Sequence, residues 1–225
     1  AETRLSSSRN RCSWVIRGTA QAIFVDPVRQ ILKMFRSPSR KPQPPTYWLQ
    51  PPEPLIVPSG AKTTKTGAAL LLRPVKISDE PLLKDFFYSL SDESLYQRFI
   101  SARRDIPHEL LQDLVAVDYF TKMVLVAVTE REGRELICGL GQYGMNRDMY
   151  TADVALVVRD DCQNKGVAGE MLAYLTFLAK RQGLLGFTAE VLVGNEPVFR
   201  LFRKMGFDVS RRNEEGVYEM KAMFR

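Results

Sequence analysis

The stretch VALVVRDDCQNKGVAGEMLAYLTFLAKRQG, residues 154–183, limits what this chain can fold into more than any other. It passes from a β-branched strand through a polar loop straight into a helix, whose apolar positions Val167, Met171, Leu172, Leu175, Leu178 and Ala179 follow a period of 3.6. The loop therefore opens at a helix N-terminus. The small-residue entry Gly166-Val167-Ala168 leaves backbone N–H groups open to solvent and the helix dipole adds partial positive charge, so an anion such as a pyrophosphate can bind there. Gln163, Asn164 and Lys165 can add side-chain donors. On local pattern alone, a glycine at a strand-to-helix turn is mostly there for backbone geometry.

The flanking segments supply a sheet for that strand. ALLLRPV (69–75) is a short apolar run ended by Pro74, and SDEPLLKDFFYSL follows as a helix capped by Ser78 or Asp79, with Leu82, Leu83, Phe86, Phe87 and Leu90 on one face. IPHELLQDLVAV repeats the helical period. KMVLVAVTE, a turn at Glu132-Gly133, ELICGLGQYG and TADVALVV read as an antiparallel meander. Beyond the central helix, GFTAEVLV is a strand and NEPVFRLFRKM a helix with Asn195 as N-cap, Pro197 in its first turn and Gly206 at a left-handed C-terminal position. The chain closes as a hairpin around Gly216. The expected order is strand, two helices, three strands, helix, strand, helix and two strands.

The segment before residue 67 differs in kind. Residues 1–66 carry 11 Lys and Arg against 3 acids and nine of the 13 prolines, so the net charge of +6 belongs to this segment, while the remainder is slightly acidic. The prolines between Pro38 and Pro58 exclude a long helix or a central strand. Residues 1–66 are thus expected to be a basic, proline-rich arm or linker, with one possible short helix near Asp26-Pro27, ahead of a domain at 67–225. Cys12, Cys138 and Cys162 match neither a disulfide framework nor a zinc pattern, and His108 is the sole histidine. No metal is expected, and a reducing cytoplasm fits. No run of about 18 apolar residues occurs, so no transmembrane helix is expected.

The order of elements, Gln163-Asn164-Lys165-Gly166-Val167-Ala168 (Q/R-x-x-G-x-G/A), and Asn195 through Lys204-Met205-Gly206-Phe207 (N-x(8)-K-x-G-F) resemble the GNAT acyl-CoA-dependent N-acyltransferases over residues 68–225. ESLYQRFIS (93–101) and VDYFTKMVLVAV (117–128) resemble the bacterial protein-lysine acetyltransferases often fused to acyl-CoA synthetases or CoA-transferases. The resemblance implies an α/β (α+β) fold: a mixed, mostly antiparallel sheet of about seven strands flanked by four helices. It implies acetyl-CoA as co-substrate, held by Val157 and Val158 on a splayed strand, by residues 163–168 at the pyrophosphate, and by Asn195 and Phe202 near the pantetheine arm.

The implied reaction is direct attack of an amine on the thioester, with a backbone N–H near Leu156 or Val157 stabilising the oxyanion. A lysine amine with a pKa near 10.4 needs a base at neutral pH. Asp153 is the first candidate, standing where the resembled branch usually carries glutamate, and Glu190 is the second. The family's tyrosine on the last helix is matched here by Phe202, so the thiolate leaves without that acid. Three functions remain open: a protein-lysine acetyltransferase, with the arm tethering an upstream CoA-handling domain; an acetyltransferase for a small amine such as a polyamine or amino sugar; and a non-catalytic acyl-CoA sensor. Neither membrane nor nucleic acid is an expected partner.

Overall fold

The computed structural model describes residues 60–64, 67, 69–99, 106–146, 150–214 and 216–225, so the possible helix near Asp26-Pro27 lies outside the described residues. Eight strands are seen among them: β1 (Gly60–Thr63), β2 (Ala69–Pro74), β3 (Lys122–Arg131), β4 (Arg134–Asn146), β5 (Thr151–Val158), β6 (Gly186–Leu192), β7 (Asp208–Glu214) and β8 (Val217–Met223). They form one sheet in the order β1-β2-β3-β4-β5-β6-β8-β7. β5 and β6 pair in parallel and the other neighbours antiparallel. Five helices accompany the sheet: α1 (Glu80–Tyr88), α2 (Asp92–Phe99), α3 (His108–Val115), α4 (Val167–Arg181) and α5 (Glu196–Lys204).

Two elements exceed the expected seven strands and four helices. β1 lies on the arm side of residue 67, pairs with β2, and is tied to α4 by the exposed Lys62–Glu170 contact at 3.4 Å. α2 was not anticipated, because only Leu95 and Phe99 of its two turns are buried apolar residues. The hairpin between β3 and β4 turns at Glu132 and Gly133 as expected, both with positive φ, as a two-residue turn matched to strand twist requires.

Strand alternation sorts the side chains between two layers. Val124, Val126, Ile137, Leu140 and Val157 face α1, α2 and α3. Met123, Leu125, Tyr143, Ala152, Val154 and Phe187 face α4 and α5. α4 sits close on β4 because Gly139 and Gly141 have no side chain: a Cβ at Gly139 would stand 2.7 Å from Met171 Sδ, and one at Gly141 3.0 Å from Met171 Cε and 3.1 Å from Leu175 Cδ1. This contact fixes the start of α4 over the end of β5.

Below α1 lies a buried ion pair. Arg73 on β2 donates to both Asp79 oxygens at 2.6 and 2.9 Å, and the Lys76 N–H donates to the same carboxylate at 2.7 Å. Asp79 does occupy the N-cap position of α1 but makes no side-chain cap bond, because its carboxylate answers Arg73 instead.

Candidate active site

The parallel ladder between β5 and β6 is short. It runs Thr151↔Gly186, Ala152↔Phe187, Asp153↔Thr188 and then stops, while β5 stays paired to β4 through Val158. The two strands fork beyond Asp153, and on its β6 side β5 has no strand partner from Val154 to Val158. The fork opens into a cleft of about 1150 Å3 whose walls include all the residues expected at a site: Asp153, Val157, Val158, residues 163–168, Glu190, Asn195 and Phe202.

One end of the cleft is the loop from β5 to α4. Asn164 and Gly166 both have positive φ (59° and 90°), conformations that asparagine and glycine tolerate. Gly166 is the N-cap residue of α4 and no side chain caps that helix. The first-turn N–H groups are therefore without a side-chain acceptor at the positive end of a 15-residue helix, which suits an anion. Gln163 braces the loop from within: its Nε2 donates to the Val158 carbonyl at 3.1 Å and to Ser94 Oγ at 3.2 Å. Asp160 extends the brace, accepting from Ser91 N at 2.9 Å, Ser91 Oγ at 2.7 Å and Ser94 Oγ at 2.8 Å. Helix α2 is thereby held against the loop.

At the fork, Thr188 Oγ1 donates to Asp153 Oδ1. Asp153 is half-buried. Burial pushes its carboxyl above the usual range, the Thr188 hydroxyl offsets part of that, and the negative charge of Glu190 adds to the rise. By alternation, Asp153, Thr188 and Glu190 project to the α1–α3 face of the sheet. The strand side chains buried under those helices come from β3, β4 and β5. The same face of β6, β8 and β7 instead carries the exposed residues Glu190, Lys221, Glu219, Ser210 and Arg212, in cross-strand rows Thr188–Lys221–Ser210 and Glu190–Glu219–Arg212. The carboxylate at the fork thus borders an open polar platform.

On the opposite face, α5 brings Phe199 and Phe202 inward; Phe202 is 2% exposed and meets Phe207 edge-on at 5.6 Å. It reaches the cleft wall without any proton to donate. Asn195 stands at both places expected of it, the start of α5 and the cleft wall. It is the N-cap residue of α5, yet its side chain makes no cap bond; backbone contacts Glu196 N to Gly194 O (2.9 Å) and Val198 N to Asn195 O (3.3 Å) close the turn. Its half-buried side chain lines the cleft instead.

Other reactive groups are subdued by burial. The Cys162 and Cys138 thiols are pushed up, Cys138 to about 12, so neither is a thiolate at neutral pH. The buried Tyr143 hydroxyl, also pushed up by burial, donates to Gln182 Oε1 at 2.8 Å and faces away from the fork. The cleft residues that sequence reasoning missed are those of α2, chiefly Ser94 and Arg98. The i, i+4 spacing of Leu95 and Phe99 was the available signal.

Comparison with known proteins agrees with this geometry. A family model described as an acetyltransferase (GNAT) domain matches residues 69–208. The chain is 24% identical over 141 residues to the acetyltransferase PA5475 of Pseudomonas aeruginosa, covering 63% of this chain and 76% of that protein. It is 30% identical over 142 residues to the acetyltransferase Pat of Mycolicibacterium smegmatis, covering 63% of this chain but 42% of Pat, so it matches less than half of that relative's length. Among solved structures, the GNAT domain of S. lividans PAT superposes with a TM-score of 0.68 at 24% identity, covering 76% of this chain and 99% of that one. The structure of yncA from Salmonella typhimurium, solved with its cofactor acetyl-CoA, has a TM-score of 0.56 at 18% identity, covering 68% of this chain and 92% of that one. The forked parallel pair, the left-handed glycine opening α4 and the family match over residues 69–208 make this chain a member of the GNAT acetyltransferase family, an acyl-CoA-dependent acyltransferase.

Proposed function

We propose that the chain transfers an acetyl group from acetyl-CoA to a primary amine, foremost a lysine of another protein, by direct attack within the fork. The observation that carries this reading is Asp153, a carboxylate at the last paired position before β5 and β6 part, on the face that opens to the polar platform. Acetyl-CoA supplies the activated acetyl thioester. The open edge of β5 at Val157 and Val158 holds its pantetheine, the N–H groups from Lys165 to Ala168 its pyrophosphate, and Asn195 and Phe202 border the arm.

Asp153 then removes the proton from the attacking ammonium, directly or through one water. Its raised pKa makes it a stronger base than an ordinary aspartate, and the Thr188 hydroxyl fixes which oxygen faces the cleft. Glu190 and its cross-strand neighbour Glu219 set two carboxylates on the platform beside Lys221 and Arg212, so both signs of charge can meet an acceptor there. A protein lysine is preferred to a small amine because the platform is an exposed sheet face rather than an enclosed pocket, and because the relative named Pat and the S. lividans PAT domain share its family and fold. The basic segment ahead of β1 is read as a tether to a further domain, one that handles CoA. The free cysteines suit a reducing cytoplasm.

The test is thiol release from acetyl-CoA with a lysine peptide, spermidine or glucosamine as acceptor, with mass spectrometry of the product. Acetylation at the peptide Nε is expected, with much slower reaction of the small amines. Preferential acetylation of spermidine or glucosamine would favour a small-amine enzyme. Tight acetyl-CoA binding by calorimetry with no transfer to any amine would instead make the domain an acyl-CoA sensor.

A further inference from the structure

Helix α2 presents a polar group that the acetyl-transfer chemistry leaves unused. Leu95 and Phe99 turn into the core, which leaves Ser94 and Arg98, four residues apart on one stripe, at the cleft wall. Ser94 is occupied by Asp160 and Gln163. Arg98, about 6 Å further along the helix, has no comparable partner among the described residues. Its Nε is buried without a hydrogen bond, and no ion pair reaches its guanidinium from the described residues. The Phe99 ring flanks it, with Cζ 4.9 Å from the centroid. Burial lowers its pKa to about 10, which still leaves a cation at neutral pH.

A partly buried guanidinium that meets no counter-charge among the described residues is unfavourable, and its planar fork matches a carboxylate. The side of the sheet indicates where that carboxylate comes from. Arg98 belongs to the layer that covers the Asp153 face of β5, whereas the helix whose N-terminus suits the pyrophosphate packs on the opposite face. Arg98 therefore shares the side on which the amine approaches. We propose that Arg98 binds a carboxylate carried by the acceptor, so that the preferred substrate presents an acidic group close to the amine it offers.

This inference rests on the amine-acetylation reading, and the experiment separates the two. Lysine peptides that differ only in Asp or Asn beside the lysine are compared for kcat/KM and, in the presence of CoA, for affinity, alongside calorimetry of acetyl-CoA alone. The native protein should prefer the Asp peptide by about tenfold or more, the scale of one hydrogen bond between charged groups. Arg98→Gln should erase that preference while acetyl-CoA affinity and turnover of the Asn peptide persist, and Arg98→Lys should recover part of it. Equal handling of the two peptides by the native protein overturns the role of Arg98, even if Arg98→Gln fails to fold, and leaves acetyl transfer intact. Loss of acetyl-CoA affinity in Arg98→Gln with the peptide preference unchanged also overturns it, and assigns the guanidinium to a CoA phosphate. If no peptide is acetylated, the function proposed above fails, and the affinity comparison still decides whether Arg98 reads the carboxylate.

Discussion

Replacing Asp153 with asparagine separates what this carboxylate does for the reaction from what it does to the fold. Asparagine keeps the shape and an oxygen to accept the Thr188 hydroxyl, but it cannot take a proton. Loss of a positioned base costs about 10²–10⁴-fold in turnover, which at 1.36 kcal/mol per decade raises the barrier by roughly 3–5 kcal/mol. Acetyl-CoA affinity should be almost unchanged, because the N–H groups of the loop are untouched. Stability should move the other way. A carboxyl whose folded-state pKa lies above the reference value of 3.8 stabilises the fold most when protonated, and that contribution is lost as pH rises through the folded value. At neutral pH the ionised Asp153 is therefore a net cost to folding, and Asp153→Asn should melt at the same temperature or higher. The raised pKa also places the acid limb of the kcat/KM profile above that of an ordinary aspartate. Glu190→Gln removes one cause of the rise and should move the limb to lower pH. Initial rates of CoA release across pH, paired with calorimetric melting, read both effects. An Asp153→Asn protein with native turnover refutes the base assignment, and one that loses melting temperature and activity together reduces Asp153 to a structural role.

Two further perturbations test the framework around the site. Gly166→Glu forces a side chain onto a residue with φ of 90° and sets a negative charge at the start of α4, so acetyl-CoA binding should vanish by calorimetry while the fold persists; unchanged affinity would remove the pyrophosphate from this loop. Asp79→Asn takes the counter-charge from a buried guanidinium and should destabilise the domain by about 3–5 kcal/mol in urea denaturation, towards the low end because Glu135 lies 3.5 Å from Arg73. Burial raises the Asp79 carboxyl, but Arg73 and the Lys76 N–H outweigh it and the net shift is downward. The contribution is therefore present above the reference pKa of 3.8 and fades as pH falls through the folded value, so native and variant proteins should converge in acid.

What the sequence made legible, and what it hid, follows from the range of each interaction. α4 and α5 were readable because their apolar stripes repeat locally, and Gly166 and Gly206 mark their ends with the left-handed backbone that glycine supplies. The cap positions at Asp79 and Asn195 were readable, but not where their side chains go: residue type suggests a local bond, whereas the Asp79 carboxylate is claimed by Arg73 from a neighbouring strand and the Asn195 side chain lines the cleft. α2 was hidden because eight residues with two buried apolar positions give too short a period to separate from a loop. β1 was hidden because proline and charge dominate the segment around it, while its four residues gain their place through pairing with β2.

The residue proposed as the base belongs to the same class. Asp153 reads on its own as one polar residue in an apolar strand. It becomes the residue at the fork because the parallel register with Thr188, 35 positions later, ends there. No local pattern encodes where a parallel ladder stops, since that depends on how far β6 is drawn away by its longer antiparallel pairing with β8. The catalytic reading of Asp153 and the carboxylate reading of Arg98 therefore share one dependency, the opening between β5 and β6. Any substitution that let the two strands zip further would disable acetyl transfer and acidic-peptide selection together, without touching either residue.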